Sequence, residues 1–489
     1  MKGLTVAVVG VGRSGQAAAQ LLAQNGSQVV GFDQRGGVSQ DDFPFQVVVE
    51  PSAKTLGAAI VGLAPKFVVV SPGVPQSSPI LAAVTSVGIP IVGEVQLAWD
   101  LSHGDRGIEE VKETSWLCVT GTNGKTTTVR MLADILEADG LRAAAVGNVG
   151  YPIATATFEG LDAMAVELSS FQLAWSRRLR PTAAICLNVA SDHLDWHGSR
   201  EAYVEAKSHV YDGASVARFF FEDEPETEVM ARHAENAEDS IVVPLTFEVP
   251  VPEGAIGLEG QLVRDRSGLR GRESEVVADF AAVPLLAASV PAPGGPQSDP
   301  ADPMVRDALA AVALARAQGV GAEAIQRALE AFRPAPHRRE LVGKHGGVTW
   351  VDDSKATNVH AAVAAARALP PGAVVWIMGG DTKGQDLRPL ARAASDRARA
   401  VAVIGAEPRV LLDLLAQEAP QVPVYVAEGY GSVQSWMTKL VRACAEMAQP
   451  GDTVLLAPGC ASWDQFESYV QRGEVFKRAV EGMSAAGGE

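Results

Sequence analysis

The chain has 489 residues, which at about 150 residues per domain suggests roughly three domains. It carries 41 Lys and Arg against 58 Asp and Glu, a net charge of −17, which argues against nucleic acid or an anionic membrane as the main partner. A hydrophobic content of 47% and a charged content of 20% are typical of globular proteins and exclude general disorder.

Cysteine usage and hydropathy indicate the compartment. The four cysteines lie far apart and have no zinc-ligand spacing, so we expect no disulfide framework and a reducing cytoplasm. No uninterrupted apolar stretch reaches about 18 residues, so we expect no membrane insertion. The apolar run from Leu4 resembles a signal peptide, but Arg13 ends it early, and we do not expect secretion.

Short β-branched runs alternate with Ala- and Leu-rich helical stretches along the whole chain. Apolar runs of four to six residues suit strands buried on both faces, and their alternation with helices predicts parallel sheets built from βαβ units. The predicted strands are 4–9, 29–32, 67–70, 116–120, 163–167, 183–187, 374–378, 400–404 and 453–457.

Two segments are predicted to be linkers between domains. The stretch 102–114 is polar, and 332–336 places two prolines after a predicted helix at 322–331. These linkers predict an N-terminal domain at 1–101, a central domain at 102–335 and a C-terminal domain at 336–489. Inside the central domain, the Pro-rich stretch 291–303 is predicted to be a mobile loop.

A glycine-rich loop follows the first predicted strand. Gly10, Gly12 and Gly15 form a GxGxxG pattern that opens a helix, the context in which a helix N-terminus binds phosphate. Asp33 ends the next strand, where it could bond a ribose or a base. The pattern is weak by itself, because it fits a dinucleotide, another nucleotide diphosphate or a tight turn.

A second and more specific phosphate loop lies in the central domain, between the strand 116–120 and a helix predicted at 129–137. Its backbone N–H groups would wrap phosphate, Lys125 would reach the β- and γ-phosphates, and the Thr126 hydroxyl would bind Mg²⁺. Val119 stands where the usual first glycine would be. Two phosphate loops in two domains predict an enzyme that uses ATP on a nucleotide-linked substrate. The second loop consists of Gly121, Thr122, Asn123, Gly124, Lys125, Thr126 and Thr127.

Two further side chains follow strands of the central domain. Glu167 ends the strand 163–167, and carboxylates at this position can bind Mg²⁺ through hard oxygen contacts. His193 follows the strand 183–187 and points toward the same sheet edge. A surface acid and a solvated loop histidine remain the simpler alternatives for these two residues.

Lys207 lies in a helix predicted over 201–211, on one face with Tyr203, Val210 and Tyr211. A lysine on an apolar stripe usually extends its amine to solvent, and the residues alone favour that interpretation. Alternatively, burial would lower the pKa of Lys207 and leave a neutral, reactive amine.

In the C-terminal domain, the loop 353–358 follows a further predicted strand at 348–351, and the loops 379–384 and 457–466 follow the predicted strands 374–378 and 453–457. Arg338, just after the second linker, suits a phosphate on which a mobile domain closes. Lys355 in the loop 353–358 and Lys383 in the loop 379–384 would suit a small dianionic substrate, which the loop 457–466 could help to enclose. Ordinary βα loops and an exposed basic cluster are the alternatives, and Cys460 is interpreted as a packing residue.

Taken together, these motifs resemble the Mur ligases, and among them the members that add D-glutamate to UDP-N-acetylmuramoyl-L-alanine. The resemblance runs from Leu4 to about Ala479 and is most specific at 121–127, 167–172, 353–358 and 462–466 with Arg472-Gly473. It implies a Rossmann-like UDP-binding domain, a central P-loop-type ATPase domain and a Rossmann-like amino-acid-binding domain. It also implies ligation through an acyl phosphate in cytoplasmic peptidoglycan precursor synthesis, by a monomer.

The resemblance assigns site residues by their match to the family's motifs. ATP would be held by the loop 121–127 with Arg338 and Asp353, and two Mg²⁺ by Thr126, Glu167, His193 and a carbamylated Lys207. The catalytic set would be Lys125, Glu167, His193, Lys207 and Arg338. The UDP-substrate would be bound by Arg13, Ser14, Asp33, Gln34, Arg35, Ser71, Gly73, Asn148, Ser169 and Gln172. D-Glutamate would be bound by Thr357, Lys383, Ser462 and Tyr469.

The chain departs from the family pattern in two places. The usual His-Asn pair before the last helix of the central domain is absent near Pro303 and Met304, and Asp307 replaces the following Asn. Trp463 stands where a smaller aliphatic residue is expected.

Three other functions compete with this hypothesis. A sibling ligase of the same superfamily, including a folate polyglutamate ligase, would differ in amino-acid choice. An NAD-dependent oxidoreductase would use the first glycine loop but leaves the second unexplained. A regulatory P-loop ATPase would hydrolyse ATP without forming a ligated product.

Overall fold

The structure is a computed structural model that describes residues 1–36, 38–103, 114–148, 150–190, 192–287, 289–290, 302–427 and 431–486. The predicted linker between 104 and 113 and the Pro-rich stretch from 291 to 301 lie outside these residues. The chain divides into two compact units: Met1–Ser298 with Asp307–Phe332, and Asp299–Arg306 with Arg333–Glu489.

The first unit begins with a parallel sheet flanked by helices. Its elements are β1 (Thr5–Val9), α1 (Arg13–Gln24), β2 (Gln28–Asp33), β3 (Gln46–Val49), α2 (Ala53–Leu63), β4 (Val68–Val70), α3 (Pro79–Ser86), β5 (Ile91–Gly93) and α4 (Glu94–His103), with a 3-10 helix at Gln40–Asp42. The strand order is β3-β2-β1-β4-β5, a Rossmann-like arrangement in which the order reverses beside β1.

The same unit contains a second, nine-stranded sheet. Its elements are β6 (Ser115–Thr120), α5 (Lys125–Ala138), β7 (Ala143–Gly147), α6 (Ile153–Ala156), β8 (Ala163–Glu167), α7 (Ser170–Ala174), β9 (Ala183–Cys186), α8 (Leu194–His197), α9 (Arg200–Ser208), β10 (Ala217–Phe221), α10 (Pro225–Arg232), β11 (Ile241–Thr246), β12 (Ile256–Glu259), β13 (Leu262–Asp265), β14 (Glu275–Asp279), α11 (Pro303–Gln318) and α12 (Ala322–Ala331), with 3-10 helices at Leu269–Gly271 and Phe280–Ala282. Of these, α11 belongs to this unit only from Asp307 onward. The order is β14-β13-β12-β11-β10-β9-β6-β8-β7, parallel except for the pairs β12–β13 and β13–β14.

The second unit is built on a six-stranded sheet. Its elements are β15 (Glu340–His345), β16 (Val348–Asp352), α13 (Val359–Arg367), β17 (Val374–Gly379), α14 (Arg388–Arg397), β18 (Ala398–Ile404), α15 (Arg409–Glu418), β19 (Val424–Val426), α16 (Val433–Met447), β20 (Thr453–Leu456) and α17 (Tyr469–Ala486). The order is β15-β16-β20-β17-β18-β19, and only the edge pair β15–β16 is antiparallel.

The structure confirms the predicted α/β class. All the predicted strands, including 348–351, are present, and the helix predicted over 322–331 has those bounds. The helix containing Lys207 is shorter than predicted, because it ends at Ser208, and α5 begins earlier, at Lys125. The antiparallel strands β12 to β14 were not predicted.

Burial follows the sequence pattern. Strands β1, β6, β8 and β17 are almost wholly buried, as expected for strands covered by helices on both faces. All four cysteines are buried free thiols, which agrees with the packing role predicted for Cys460. In the described part of the chain, no helix combines the length and apolarity needed to cross a bilayer.

Candidate active site

The order of the central strands brings three predicted loops to one sheet edge. β6 lies between β8 and β9, and all three run parallel. The phosphate loop follows β6, Glu167 is the last residue of β8, and the chain after β9 leads to His193. The carboxyl edge of this sheet therefore combines a phosphate loop with metal-binding residue types.

The phosphate loop has the backbone that its glycines predict. Gly121 and Gly124 adopt φ values of +147° and +88°, which side chains disfavour. Asn188 holds the loop, because its Oδ1 accepts the N–H groups of Thr122 and Asn123 at 3.1 and 3.0 Å. Lys125 is the first residue of α5, and its Nζ donates to the Gly121 and Thr122 carbonyls at 2.8 and 3.0 Å.

The other residues of this loop surround the start of α5. Thr126 and Thr127 lie in the first turn of the helix, and Thr127 is buried. The Thr122 hydroxyl lies 2.9 Å from the hydroxyl of Tyr203 on α9. The loop is therefore tied both to the chain after β9 and to α9.

Lys207 is only 2% exposed, so the interpretation that it extends its amine to solvent is wrong. Its Nζ donates to the Gly121 carbonyl at 2.9 Å and lies 4.7 Å from the centre of the Tyr203 ring. Burial and the nearby charge of Lys125 lower the pKa of Lys207 to about 7. The structure therefore agrees with the alternative, an amine that is substantially neutral near neutral pH.

Glu167 offers one carboxylate oxygen for a ligand. The residue is 1% exposed, and its Oε1 accepts a hydrogen bond from the Asn148 side-chain amide at 3.0 Å. Among the residues that the structure describes, none donates a hydrogen bond to its buried Oε2. A buried carboxylate oxygen without a donor is costly unless a cation or a solvent molecule binds it, so this oxygen fits Mg²⁺.

His193 caps the short helix α8 with a left-handed backbone, φ +54°. Its ring lies 4.6 Å from that of Phe171 on α7, and its Nε2 lies 3.6 Å from a carboxylate oxygen of Asp192. The half-exposed imidazole therefore stands beside the helix that follows Glu167.

Asp307, the residue that departs from the family pattern, lies against the phosphate loop. Its Oδ1 is 2.3 Å from the point where a Cβ on Gly124 would stand. A side chain at position 124 would therefore collide with this carboxylate, in addition to the strain of a positive φ.

The first glycine loop has the close packing that GxGxxG requires. A Cβ on Gly15 would stand 1.9 Å from the Gly10 carbonyl oxygen, and Gly10 itself has φ +84°. Gly12 is the N-cap residue of α1 and has no side chain that could accept the first N–H groups of this helix. A bound phosphate could accept them instead.

The Asp33 carboxylate is already hydrogen-bonded to two nearby residues. It accepts hydrogen bonds from the Val11 N–H at 2.9 Å and from the Arg35 guanidinium at 2.6 and 2.9 Å. Burial alone would raise the pKa of Asp33, but these hydrogen bonds lower it. Arg35, rather than Asp33, is the exposed member of the pair.

The other predicted UDP-binding residues surround this loop. Arg13 starts α1 and reaches the Gly150 carbonyl at 3.5 Å, and Ser14 follows it. Gln34 donates to the Pro51 carbonyl at 3.0 Å. Ser71 follows β4 and lies against Gly10, with Gly73 exposed two residues later.

Ser169 and Gln172 form a capping box at the start of α7. The Ser169 hydroxyl accepts the Gln172 N–H at 3.2 Å, and the Gln172 Oε1 accepts the Ser169 N–H at 3.0 Å. Both residues are buried, so part of their hydrogen-bonding capacity is used inside the protein.

In the second unit, the three predicted loops follow β16, β20 and β17. The strands β16 and β17, which precede Thr357 and Lys383, are not direct neighbours, because β20 lies between them. The Ser462 loop is consequently the middle one, and hydrogen bonds between Asp381 and Ala461 at 2.8 and 3.0 Å tie it to the Lys383 loop.

The candidate amino-acid-binding residues differ in exposure. Ser462 is buried, whereas Lys383 is exposed and held at φ +47°. Tyr469 starts α17, and the Lys355 Nζ lies 3.9 Å from the centre of its ring. Thr357 is half-buried in the loop after β16.

Arg338 and its neighbours lie at the start of the second unit. In the described part of the chain Arg338 forms no ion pair, whereas the Arg339 guanidinium binds Asp302 at 2.9 Å. Asp353 accepts the Arg339 N–H at 3.2 Å, and its burial raises the pKa of this carboxyl to about 6. His337 is buried and shares a 2.7 Å hydrogen bond with Asp352, which raises the pKa of the imidazole.

Sequence reasoning missed two residues that support the phosphate loop. Asn188 lies in the same segment as His193, and Tyr203 lies one turn before Lys207. The proximity of both to recognised motifs was a signal, but their contacts with Thr122 depend on the pairing of β6 with β9.

Comparison with known proteins adds family information. Three family models match the chain: the Mur ligase MurD-like N-terminal domain over residues 4–93, the Mur ligase middle domain over 119–248, and the Mur ligase glutamate ligase domain over 337–460. Relatives from Thermobifida fusca (strain YX) and Streptomyces avermitilis, both named UDP-N-acetylmuramoylalanine--D-glutamate ligase, are 41% and 40% identical. Each alignment covers 99% of this chain and 99% of the relative.

Solved structures show the same fold at low identity. A pseudomurein peptide ligase type C from Methanothermus fervidus matches with a TM-score of 0.56 and 16% identity, over 98% of this chain and 100% of that one. The UDP-N-acetylmuramate-alanine ligase from Thermotoga maritima matches with a TM-score of 0.54 and 18% identity, over 99% of this chain and 100% of that one.

Proposed function

The chain belongs to the Mur ligase family, and from that premise we propose that it joins D-glutamate to UDP-N-acetylmuramoyl-L-alanine with hydrolysis of ATP to ADP and phosphate. Relatives named for this reaction match nearly the whole chain at about 40% identity, rather than one domain of it. The product is a peptidoglycan precursor, and a reducing cytoplasm agrees with four buried free thiols.

The observation that carries the proposal is the sheet edge at which the phosphate loop, Glu167 and Lys207 meet. A Lys at the start of α5 supplies positive charge for phosphate. The Glu167 oxygen that receives no hydrogen bond from the described residues fits a divalent cation. Thr126 and His193 would complete the metal-binding groups. Bound Mg²⁺ would neutralise charge on the phosphates of ATP.

Carbamylation of Lys207 is a finer part of the proposal. A neutral amine reacts with CO₂, releases a proton and becomes a carbamate whose nitrogen keeps one N–H. That N–H can preserve the 2.9 Å hydrogen bond to the Gly121 carbonyl while two negative oxygens project from the buried side chain. Burial and the lowered pKa support this chemistry, because they leave a substantial fraction of the amine neutral near pH 7.

The reaction needs activation of a carboxylate. We infer that the alanyl carboxylate of the UDP-substrate attacks the γ-phosphate of ATP and becomes an acyl phosphate. The amine of D-glutamate then attacks the carbonyl carbon, and phosphate leaves from the tetrahedral intermediate. Lys125 and Arg338 would neutralise charge on the phosphoryl oxygens, and Asp353 would help to close the site on ATP.

The remote UDP group would orient the reacting carboxylate. Support comes from the first glycine loop, from the exposed Arg35 and from Arg13 and Ser14 at the start of α1. Gln34, Ser71 and Gly73 would complete this site, and Asn148, Ser169 and Gln172 would contact the part of the substrate nearest the metal. Binding energy from such a distant group can be used to position the reacting atoms.

The D-glutamate site is proposed at the carboxyl edge of β16, β20 and β17, where Thr357, Ser462 and Lys383 lie on three adjacent loops. Tyr469 would cover this site from the start of α17. The two carboxylates of D-glutamate require at least two groups that are positively charged or donate hydrogen bonds. These loops offer the ammonium group of Lys383 and the hydroxyl groups of Thr357 and Ser462.

A phosphate-release assay tests the proposal against its rivals. The protein with UDP-N-acetylmuramoyl-L-alanine, ATP and Mg²⁺ should release phosphate only when D-glutamate is added. Release with another amino acid would identify a sibling ligase, and release without any amino acid would identify an ATPase. Lys125→Ala should reduce the D-glutamate-dependent rate about 10²- to 10³-fold while the protein remains folded, and an unchanged rate would contradict the assignment.

A further inference from the structure

The turn that carries Arg338 has an unusual backbone. His337 and Arg339, the residues on either side of it, adopt φ values of +63° and +48°, in the left-handed region that side chains disfavour. Residues strained in this way persist only where their surroundings hold them, and they are concentrated at functional sites. The contacts that hold this turn therefore decide how the Arg338 side chain is presented.

Both strained residues are bound to the end of β16 and the loop that follows it. His337 is only 3% exposed, and its Nδ1 lies 2.7 Å from the Oδ2 of Asp352, the last residue of β16. The His337 carbonyl accepts the Lys355 N–H at 3.1 Å. On the other side of Arg338, the Arg339 N–H donates to the Asp353 Oδ1 at 3.2 Å. The turn is thus fixed to one strand end both before and after Arg338.

A further support for the turn comes from helix α17. The Glu340 Oε2 accepts the His337 N–H at 2.9 Å, and the Glu340 Oε1 accepts the Lys477 ammonium of α17 at 2.8 Å. Burial alone would raise the pKa of Glu340, but the hydrogen bonds from Lys477 and His337 lower it, so the pair is charged near neutral pH. His337, Glu340 and Asp352 bring metal-ligand atoms within 4.8 Å of one another, and the Lys477 ammonium supplies positive charge to this cluster.

We propose that Lys477 is a positioning residue for phosphoryl transfer: through Glu340 it holds the strained turn that presents Arg338 to the phosphoryl oxygens. The inference rests on the proposed function, which assigns the Arg338 guanidinium to those oxygens. An ion pair between half-buried side chains adds little to stability. This pair instead fixes the N–H of the strained residue directly before Arg338, so we expect its loss to affect the reaction more than the folding.

The test begins with Lys477→Met, which removes the ammonium and keeps the length of the side chain. Since misplacing a catalytic group by about 1 Å can cost about 10²-fold in rate, we expect the kcat of D-glutamate-dependent phosphate release to fall about tenfold or more. The KM values for UDP-N-acetylmuramoyl-L-alanine and D-glutamate should be unchanged, because Arg338 acts on charge that develops in the transition state.

Two further variants of α17 show whether the hydrogen bond to Glu340 is what matters. Lys477→Arg keeps a charged donor and should retain most of the kcat. Arg478→Gln is the matched control, because the Arg478 guanidinium is exposed and donates to the Glu474 carbonyl of its own helix. It should leave kcat and both KM values unchanged.

A double-mutant cycle separates the positioning of Arg338 from general stability. In an Arg338→Ala background, Lys477→Met should not lower kcat further, because the group that it positions is gone. Glu340→Gln leaves one of two donors facing an NH₂ group and should reproduce the loss of kcat; it serves if Lys477→Met does not fold. A lower melting temperature with an unchanged kcat, or a full further loss of kcat in the Arg338→Ala background, would overturn the inference. Absence of D-glutamate ligation by the unsubstituted protein would instead overturn the proposed function.

Discussion

Lys125 and Lys207 donate hydrogen bonds to the same oxygen atom, the carbonyl of Gly121, at 2.8 and 2.9 Å. Two ammonium groups on one acceptor repel each other, and only Lys207 is fully buried. Its charged form is therefore the less stable of the two, as its lowered pKa indicates. The phosphate loop thus combines one lysine suited to phosphate with a second suited to reaction as a neutral amine.

Lys207→Ala should lower ligase activity about 10²-fold or more, because it removes a charged group from the proposed metal site. A small carboxylate such as acetate should restore part of the activity by occupying the vacated space. Lys54→Ala, which removes an exposed lysine on α2, should leave activity unchanged. Full activity in bicarbonate-free buffer, with no ¹³C-carbamate signal after exposure to ¹³CO₂, would contradict the carbamylation of Lys207.

The dependence of activity on bicarbonate should vary with pH. The pKa of Lys207 is about 7, so the amine is mostly protonated below that pH and mostly neutral above it. Only the neutral amine combines with CO₂, and we therefore expect more bicarbonate to be needed for half-maximal activity at pH 6 than at pH 8. The measurement is the initial rate against bicarbonate at each pH. Equal requirements at both would show that the titration of Lys207 does not limit activation.

Lys383→Ala should raise the KM for D-glutamate much more than the KM for ATP. The reason is that Lys383 lies on a loop of the six-stranded sheet, whereas the phosphate loop belongs to the nine-stranded sheet. Lys344→Ala, on the edge strand β15, removes the same charge from the same unit and should change neither KM. A defect confined to the KM for ATP would rule out Lys383 as a carboxylate receptor.

Gly473→Ala should destabilise the second unit. A Cβ at this position would stand 2.2 Å from the His337 Nδ1 and 2.6 Å from the Asp352 Oδ2, and would separate this buried pair. We expect the free energy of unfolding to fall by about 1–3 kcal/mol, the usual cost of overpacking. Denaturant unfolding provides the measurement. Gly482→Ala on the same helix is the control, because a Cβ at position 482 would have no atom of another described residue within 4 Å, apart from the adjacent backbone of its own helix.

The cost of Gly473→Ala should also depend on pH. The hydrogen bond to Asp352 raises the pKa of His337 above its usual 6.5, so the pair contributes fully below that value and less as the pH rises through the raised pKa. The destabilisation should therefore be larger at pH 6 than at pH 9. An equal loss at both values would mean that only the steric effect matters.

Local sequence patterns predicted much of the fold. Runs such as 163–167 and 374–378 are strands because their apolar side chains are covered on both faces, and the glycines at 121 and 124 indicate the loop backbone directly. The placement of Glu167 and His193 at one sheet edge depends on β6 lying between β8 and β9, and hydrophobic periodicity does not predict that order. The expectation that these two residues act together came from the resemblance to the Mur ligases.

Other features depend on contacts between distant residues. Lys207 was misjudged from its helical face, because the face is covered by the phosphate loop and not by solvent. The position of β20 between β16 and β17 could not be read from strand order in the chain.

The central claim is tested most directly by the mass of the product. The protein is incubated with UDP-N-acetylmuramoyl-L-alanine, ATP and Mg²⁺, and with D-glutamate, L-glutamate or D-alanine in separate reactions. We predict a nucleotide product heavier by one glutamate residue with D-glutamate only, because a pocket built for two carboxylates rejects D-alanine and would turn the amine of L-glutamate away from the acyl phosphate. An unchanged substrate mass with D-glutamate, or a ligated product formed with a different amino acid instead, would contradict the account.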